Sequence, residues 1–161
     1  MAKMKQPVTP AVRVLRQAGI EFEGHPYTYQ EGGGTAQFAA EQGVDEHLVV
    51  KTLIMENEKR EPLVVLMHGD REVSTKALAR QIGAKSVRPC DPKTAERHSG
   101  YKVGGTSPLG TRQPLPVCCE ASIAELQRIY INGGKRGFII SVQTTDMLRL
   151  LQPQLVAAAQ S

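Results

Sequence analysis

Leu48-Val49-Val50-Lys51-Thr52-Leu53-Ile54-Met55 leads through the polar run Glu56-Asn57-Glu58-Lys59-Arg60-Glu61 into Pro62-Leu63-Val64-Val65-Leu66-Met67. Two apolar, β-branched stretches of strand length on either side of a charged turn predict an antiparallel pair. The pair sets the fold class, because the sequence around it reads as further short strands and capped helices. Alternation along the first strand puts Val49, Lys51, Leu53 and Met55 on one face, which leaves an ammonium group among apolar neighbours.

Toward the N-terminus, Thr9 and Pro10 supply an N-cap and a proline at the first helical position, and Val12, Leu15 and Ala18 share one face until Gly19. Residues 20–29 read as extended, Gly32-Gly33-Gly34 breaks them, and a helix over residues 35–42 ends at Gly43. On the C-terminal side, Ser74 caps a helix that Gly83 closes, and Asp91-Pro92 opens another that stops at Ser99-Gly100. Strands are expected over residues 115–119, 128–131 and 138–142, with helices over 121–127 and 144–151. Strands joined by hairpins and short helices, without a regular alternation, predict a single α+β domain over residues 1–161 on a mixed or largely antiparallel sheet.

Hydrophobic residues make up 40% of the chain, and no apolar run nears the roughly 18 residues that span a bilayer. The opening MAKMKQPVTPAV carries basic residues without an apolar stretch or a cleavage signature. No membrane association is expected, and a cytoplasmic location. Cys90, Cys118 and Cys119 form an odd set without a CxxC pair, which argues against a disulfide framework and against zinc. Cys118 and Cys119, adjacent in a strand, should face opposite sides of the sheet. His25, His47, His68 and His98 lack metal-ligand spacing, so neither a metal nor another cofactor is expected. The net charge of +4 permits contact with a polyanion, but the absence of Trp leaves few surfaces on which bases could stack.

Three stretches could carry chemistry. Lys51 is costly to hold on an apolar strand without a partner, and a phosphate or a developing oxyanion would be one; an edge lysine that reaches water fits the pattern equally. Gly104 and Gly105 offer bare backbone amides beside the hydroxyls of Thr106 and Ser107 and the ring of Pro108, although glycine tracts also make plain turns. Ser107 has no evident histidine and acid partners and sits outside any G-x-S-x-G elbow, which disfavours a serine nucleophile. In Asn132-Gly133-Gly134-Lys135-Arg136-Gly137, the glycines allow close approach to a ribose or phosphate and the two cations could hold a nucleic-acid backbone; solvated charges on a hairpin turn are the simpler alternative.

Taken together and in this order, the Val50-Lys51-Thr52-Leu53 segment, the loop from Gly100 to Gly110 and the Gly133–Gly137 element resemble the YbaK family of aminoacyl-tRNA deacylases, related to the editing domain of bacterial prolyl-tRNA synthetases. The resemblance runs from Thr9 to about Leu151. It implies a curved, barrel-like sheet with helices around it, hydrolysis of mischarged aminoacyl-tRNA, most of all cysteine on a proline tRNA, and no cofactor. Lys51 and Gly104 fall on the catalytic positions, and Tyr27, Thr52, Gly105, Thr106, Ser107, Pro108, Asn132, Gly133 and Gly134 on the substrate pocket. Lys135 and Arg136 fall beside the tRNA, whose acceptor end is the implied partner, together with prolyl-tRNA synthetase. Ile139 departs from the acidic residue that cysteine-editing members often carry there, which keeps open a deacylase for alanine or another small residue, or a binding module without hydrolysis.

Overall fold

The computed structural model describes residues 6–161; the basic positions at 1–5 that entered the reading of the N-terminus lie outside them. The predicted pair is present as β2 (Val49–Asn57) and β3 (Pro62–His68), antiparallel with Val50 opposite His68 and Glu56 opposite Pro62. Around it stand β1 (Phe22–Pro26), β6 (Val117–Glu120), β7 (Arg128–Lys135), β8 (Phe138–Gln143) and β9 (Gln154–Val156), in the spatial order β1-β8-β7-β2-β3-β6-β9. The β1/β8, β8/β7 and β2/β3 contacts are antiparallel, whereas β7/β2, β3/β6 and β6/β9 are parallel. The sheet is therefore mixed, on an α+β plan.

Its two faces carry separate apolar layers, and the strand alternation decides which residue joins which. Val50, Ile54, Val64, Leu66, Cys119, Ile129, Ile131, Phe138 and Ile140 pack on one face. Helices α1 (Pro10–Gln17), α4 (Pro92–Ser99) and α5 (Thr144–Leu151) cover that face with Ala11, Val12, Leu15, Ala95 and Met147. The other face sets Met55, Leu63, Val65, Met67 and Cys118 against Leu78 and Ala79 of α3 (Thr75–Ile82). Further along it, Val49 and Ile139 meet Phe38 and Ala39 of α2 (Gly34–Gln42). Cys118 and Cys119 thus do face opposite layers, and burial, with Glu120 and Cys118 nearby, pushes the Cys119 thiol up to about 12.

The predicted caps hold the helices in place: Thr9, Ser74 and Asp91 accept the amides of Val12, Ala77 and Thr94. Residues 121–127, expected as a helix, form a single 3-10 turn over Ala121–Glu125 capped by Glu120, because β6 ends at Glu120 and β7 begins at Arg128, which leaves too little chain for a longer helix. Four short strands escape the sequence reading: β4 (Glu72–Val73), β5 (Val87–Pro89), β9, and β10 (Ala159–Gln160). Each is too short for alternation to register.

Glu120 ties the C-terminal segment to this frame. Its buried carboxylate accepts the amides of Ala158 at 2.8 Å, Ala159 at 3.0 Å and Ser122 at 3.1 Å, and the Ser122 hydroxyl at 2.8 Å. Burial alone would raise this carboxyl, but the hydrogen bonds outweigh it and hold the group below its ordinary value of 4.5. The stabilisation is therefore complete above pH 4.5 and is lost as the pH falls through the lower folded value. Glu120→Gln should lower stability at neutral pH by about 1–3 kcal/mol, and its melting temperature should change less than the wild type's on acidification below pH 4.5, as followed by circular dichroism.

Candidate active site

The second edge of β2 is shared by two partners. β7 pairs with it in parallel at Val49 and Val50, and β5 pairs antiparallel from Met55 to Asn57. Between these contacts a cleft of about 580 Å³ opens at Lys51, Thr52, Leu53 and Ile54. The start of α2, the turn after β3, the loop before β6 and the facing part of β7 and β8 close it, through Thr35, Gly69, Gly104, Asn132 and Ile139 among others.

Lys51 lines this cleft from the face that the alternation assigns to it, and its side chain retains 21% exposure. Its Nζ lies 3.5 Å from Oε1 of Glu72, whose own side chain is largely in water. A loose pair of this kind is worth about 0–1 kcal/mol, so the ammonium is available to an anion in the cleft. Glu46, held by the Thr35 hydroxyl at 2.8 Å, gives the same wall a carboxylate.

The opposite wall is the glycine loop, pinned to the β7–β8 turn by three contacts. The Asn132 side-chain amide donates to the Gly104 carbonyl at 2.9 Å, and its Oδ1 accepts the Gly134 amide at 2.8 Å, which fixes the amide's orientation. The Arg136 Nε donates to the Val103 carbonyl at 2.9 Å, and its guanidinium lies 5.1 Å from the centre of the Tyr29 ring. At Gly105 a Cβ would stand 2.8 Å from the Arg136 nitrogen, so the two backbones touch directly. Gly104 has φ +92 and a Cβ there would meet the Tyr29 hydroxyl at 2.7 Å, so both glycines are set by close approach.

Of the residues predicted for the site, Tyr27, Lys51, Thr52, Gly104, Thr106 and Asn132 line the cleft together. Ser107 is fully buried with its hydroxyl accepting the Leu109 amide, and Pro108 is buried beside it. Gly133 accepts the Thr9 hydroxyl through its carbonyl, while Gly134, Lys135 and Arg136 form the turn that backs the glycine loop. These lie outside the lining. Sequence reading passed over Tyr29, Thr35, Glu46, Glu72 and Cys90, which do line it. Glu72 is brought there by β4, a strand of two residues with no periodicity to find. Ile139, buried against Phe38, Ala39 and Val49, gives the cleft an apolar patch.

The histidines are not isolated. The His47 and His68 rings stack at 3.8 Å and 8°, and His47 Nδ1 lies 2.9 Å from Asp70. Buried His68 is bonded at both nitrogens, to the His47 carbonyl at 2.8 Å and to the Ser122 hydroxyl at 2.7 Å. Parallel rings direct their lone pairs side by side instead of toward a common point, so this group does not fit a shared metal ion. A separate cleft of about 660 Å³ beside the start of α5 pairs both of its arginines, Arg149 with Asp146 at 2.9 Å and Arg128 with Glu23 at 4.0 Å, and contains none of the predicted residues.

Residues 31–150 match the model of the aminoacyl-tRNA editing domain, and the chain belongs to that family. It is 30% identical over 156 residues to an Enterococcus faecalis protein provisionally named Cys-tRNA(Pro)/Cys-tRNA(Cys) deacylase EbsC, covering 96% of this chain and 95% of that one. A proline–tRNA ligase of Thermodesulfovibrio yellowstonii is 37% identical over 110 residues, which span 68% of this chain but 18% of the ligase. The fold matches, with a TM-score of 0.79 at 18% identity, a crystal structure provisionally described as a trans-editing enzyme for prolyl-tRNA synthetase, covering 96% of this chain and all of that one.

The packing of the loop on the turn has a direct test. Gly105→Ala forces a methyl group against the Arg136 backbone and should detach the loop, with the activity on aminoacyl-tRNA falling at least about tenfold and stability by about 1–3 kcal/mol. Initial rates and a denaturant titration measure the two effects.

Proposed function

We infer that this chain is a trans-acting deacylase that hydrolyses the ester between a wrong amino acid and the 3′-terminal adenosine of a tRNA, with cysteine on a proline tRNA as the preferred substrate. The observation that carries this reading is the cleft itself, in a member of the editing family: it joins an available ammonium on β2 to a glycine loop held against the β7–β8 turn.

The attacking group is best sought in the substrate. The hydroxyls lining the cleft, on Tyr27, Tyr29, Thr35, Thr52 and Thr106, have no histidine as hydrogen-bond partner. Burial pushes the Cys90 thiol up to about 11, away from the thiolate that would react. A cysteinyl group brings its own thiol. Its sulfur bonds to its own carbonyl carbon, the ester C–O bond breaks, and the thiol proton passes to the departing ribose 3′-oxygen; water then opens the released thiolactone. Holding thiol and carbonyl in line contributes about 7 kcal/mol or more. Lys51 and the Gly104 amide supply positive charge for the oxyanion that forms, and Lys135 and Arg136, exposed on the adjoining turn, suit the tRNA backbone.

Ile139 supports a second reading, in which alanine or another small residue fills the apolar patch and a bound water attacks. Prolyl-tRNA synthetase is the partner we assign, on the strength of the likeness to a segment within such ligases. Holding the editing chain beside the ligase would raise the local concentration of the correct acceptor end without any new contact in the cleft.

Two measurements test the chemistry. Lys51→Ala should keep its melting curve and lose roughly a hundred- to a thousandfold in initial rate on Cys-tRNA(Pro), the effect of one electrostatic donor; near wild-type turnover by the folded variant would remove Lys51 from the site. Cysteinyl-tRNA should be cleaved far faster than seryl-tRNA, and the Cys118→Ser/Cys119→Ser variant should behave alike, since the reacting thiol belongs to the substrate. Equal rates on the two esters would refute the thiol mechanism, and faster hydrolysis of Ala-tRNA(Pro) than of Cys-tRNA(Pro) would favour the bound water.

A further inference from the structure

Hydrogen-bond parity along β2 singles out one residue. The Gly69 amide bonds the Val49 carbonyl and the Asn57 amide bonds the Glu61 carbonyl, so the odd-numbered residues of β2 direct their main-chain groups at β3. The even-numbered residues point to the other edge. There Val50 meets β7, the Ile54 carbonyl accepts the Cys90 amide, and Glu56 faces Arg88 of β5. Thr52 falls in the gap between these partners, and no strand among the described residues pairs with it on that edge. Its N–H and C=O open toward the cleft that the residue lines, and its side-chain hydroxyl is buried without a partner as well. Three polar groups of one residue left unmatched at one place are rare in a folded chain, and each implies a ligand or a solvent partner.

We propose that the Thr52 main chain binds the aminoacyl group as if it were one residue of an antiparallel strand. This deepens the editing reading and rests on it. In an antiparallel pair, one residue exchanges both of its bonds with a single residue opposite; a parallel partner would have to span two. An aminoacyl ester has one residue to offer. Its carbonyl oxygen accepts the Thr52 N–H, and its α-ammonium donates to the Thr52 carbonyl. Residues opposite one another in such a pair project to the same face, so the side chain of an L-aminoacyl group lies on the Thr52 side, with Ile54, Cys90 and Ala95, and away from Lys51 and Leu53. The bond from the Thr52 amide also places a donor on the carbonyl oxygen that becomes the oxyanion.

The test is amide hydrogen exchange by NMR on the folded wild-type chain, with a non-hydrolysable probe, 3′-(L-cysteinylamino)-3′-deoxyadenosine, and its counterpart without the α-amine, the 3-mercaptopropanoyl amide. In the free protein the Thr52 amide should exchange at least about tenfold faster than those of Lys51 and Leu53, which bond to β3. Saturation with the cysteinyl probe should slow it at least about tenfold, and the probe without the amine should bind at least about tenfold more weakly. A Thr52 amide as protected as its neighbours in the free protein overturns the proposal. So does binding of the cysteinyl probe in the cleft that leaves Thr52 exchange unchanged, or equal affinity for the two probes; in both cases the editing reading survives. Failure of the cysteinyl probe to bind the cleft at all sinks the editing reading and the proposal with it.

Discussion

Everything in the candidate site depends on the way β2 divides one of its edges between two partners. β7 runs beside it through Ile131 and then leaves, because a bulge between Asn132 and Lys135 turns the strand out of register. The Asn132 side chain stabilises that bulge by accepting the Gly134 and Lys135 amides. Bulges bend a strand and end its pairing, and this one does so next to the lysine. β5 arrives five residues further along β2, at Met55. The interruption makes the cleft, since an uninterrupted ladder would leave no space between Val50 and Met55 and no unpaired main chain within it.

The same asparagine connects that departure to the glycine loop. With Oδ1 occupied by the bulge, its amide nitrogen has one direction left, and it points to the Gly104 carbonyl. The Arg136 contact to Val103 and the close passage of Gly105 add to this link. A loop of bare glycines would ordinarily be mobile, and its usefulness as a wall comes from these attachments to a strand turn. The lysine wall is built differently. There the charge is held by a side chain on the sheet face, balanced loosely by Glu72, and left free to change partner.

The elements carrying strong periodicity or cap chemistry were legible in the sequence: the β2–β3 pair, the helices behind Thr9, Ser74 and Asp91, and the opposite facing of Cys118 and Cys119. Lys51 was legible for the same reason, as a charge that breaks an apolar pattern. The cleft was not. Its decisive feature is a missing stretch of pairing, which depends on where two strands distant in sequence stop, and β5, at Val87–Pro89, is too short and too polar to be read as a strand. Ser107 shows the same limitation: a hydroxyl beside two glycines looks available in the sequence, and the fold turns it inward to the Leu109 amide. The stacking of His47 on His68 likewise joins residues that no spacing rule relates.

Recognition through a strand's main chain has a consequence for selectivity. Backbone groups see the ammonium and the carbonyl that all aminoacyl esters share, so they give affinity and alignment without distinguishing one amino acid from another. Discrimination then has to come from what the side chain meets and from what it can do. The surroundings of Thr52 are apolar, at Ile54, Cys90 and Ala95, and such walls separate substrates differing by one small group by only about 1–3 kcal/mol. Cysteine, alanine and serine are too alike in size for that to suffice. A reaction that uses the substrate's own thiol removes the difficulty, because serine and alanine can occupy the same place and still lack the group that attacks. In the proposed mechanism selectivity of this kind is chemical, and it would let a site with a largely generic grip on its ligand spare tRNAs correctly charged with amino acids that lack a thiol.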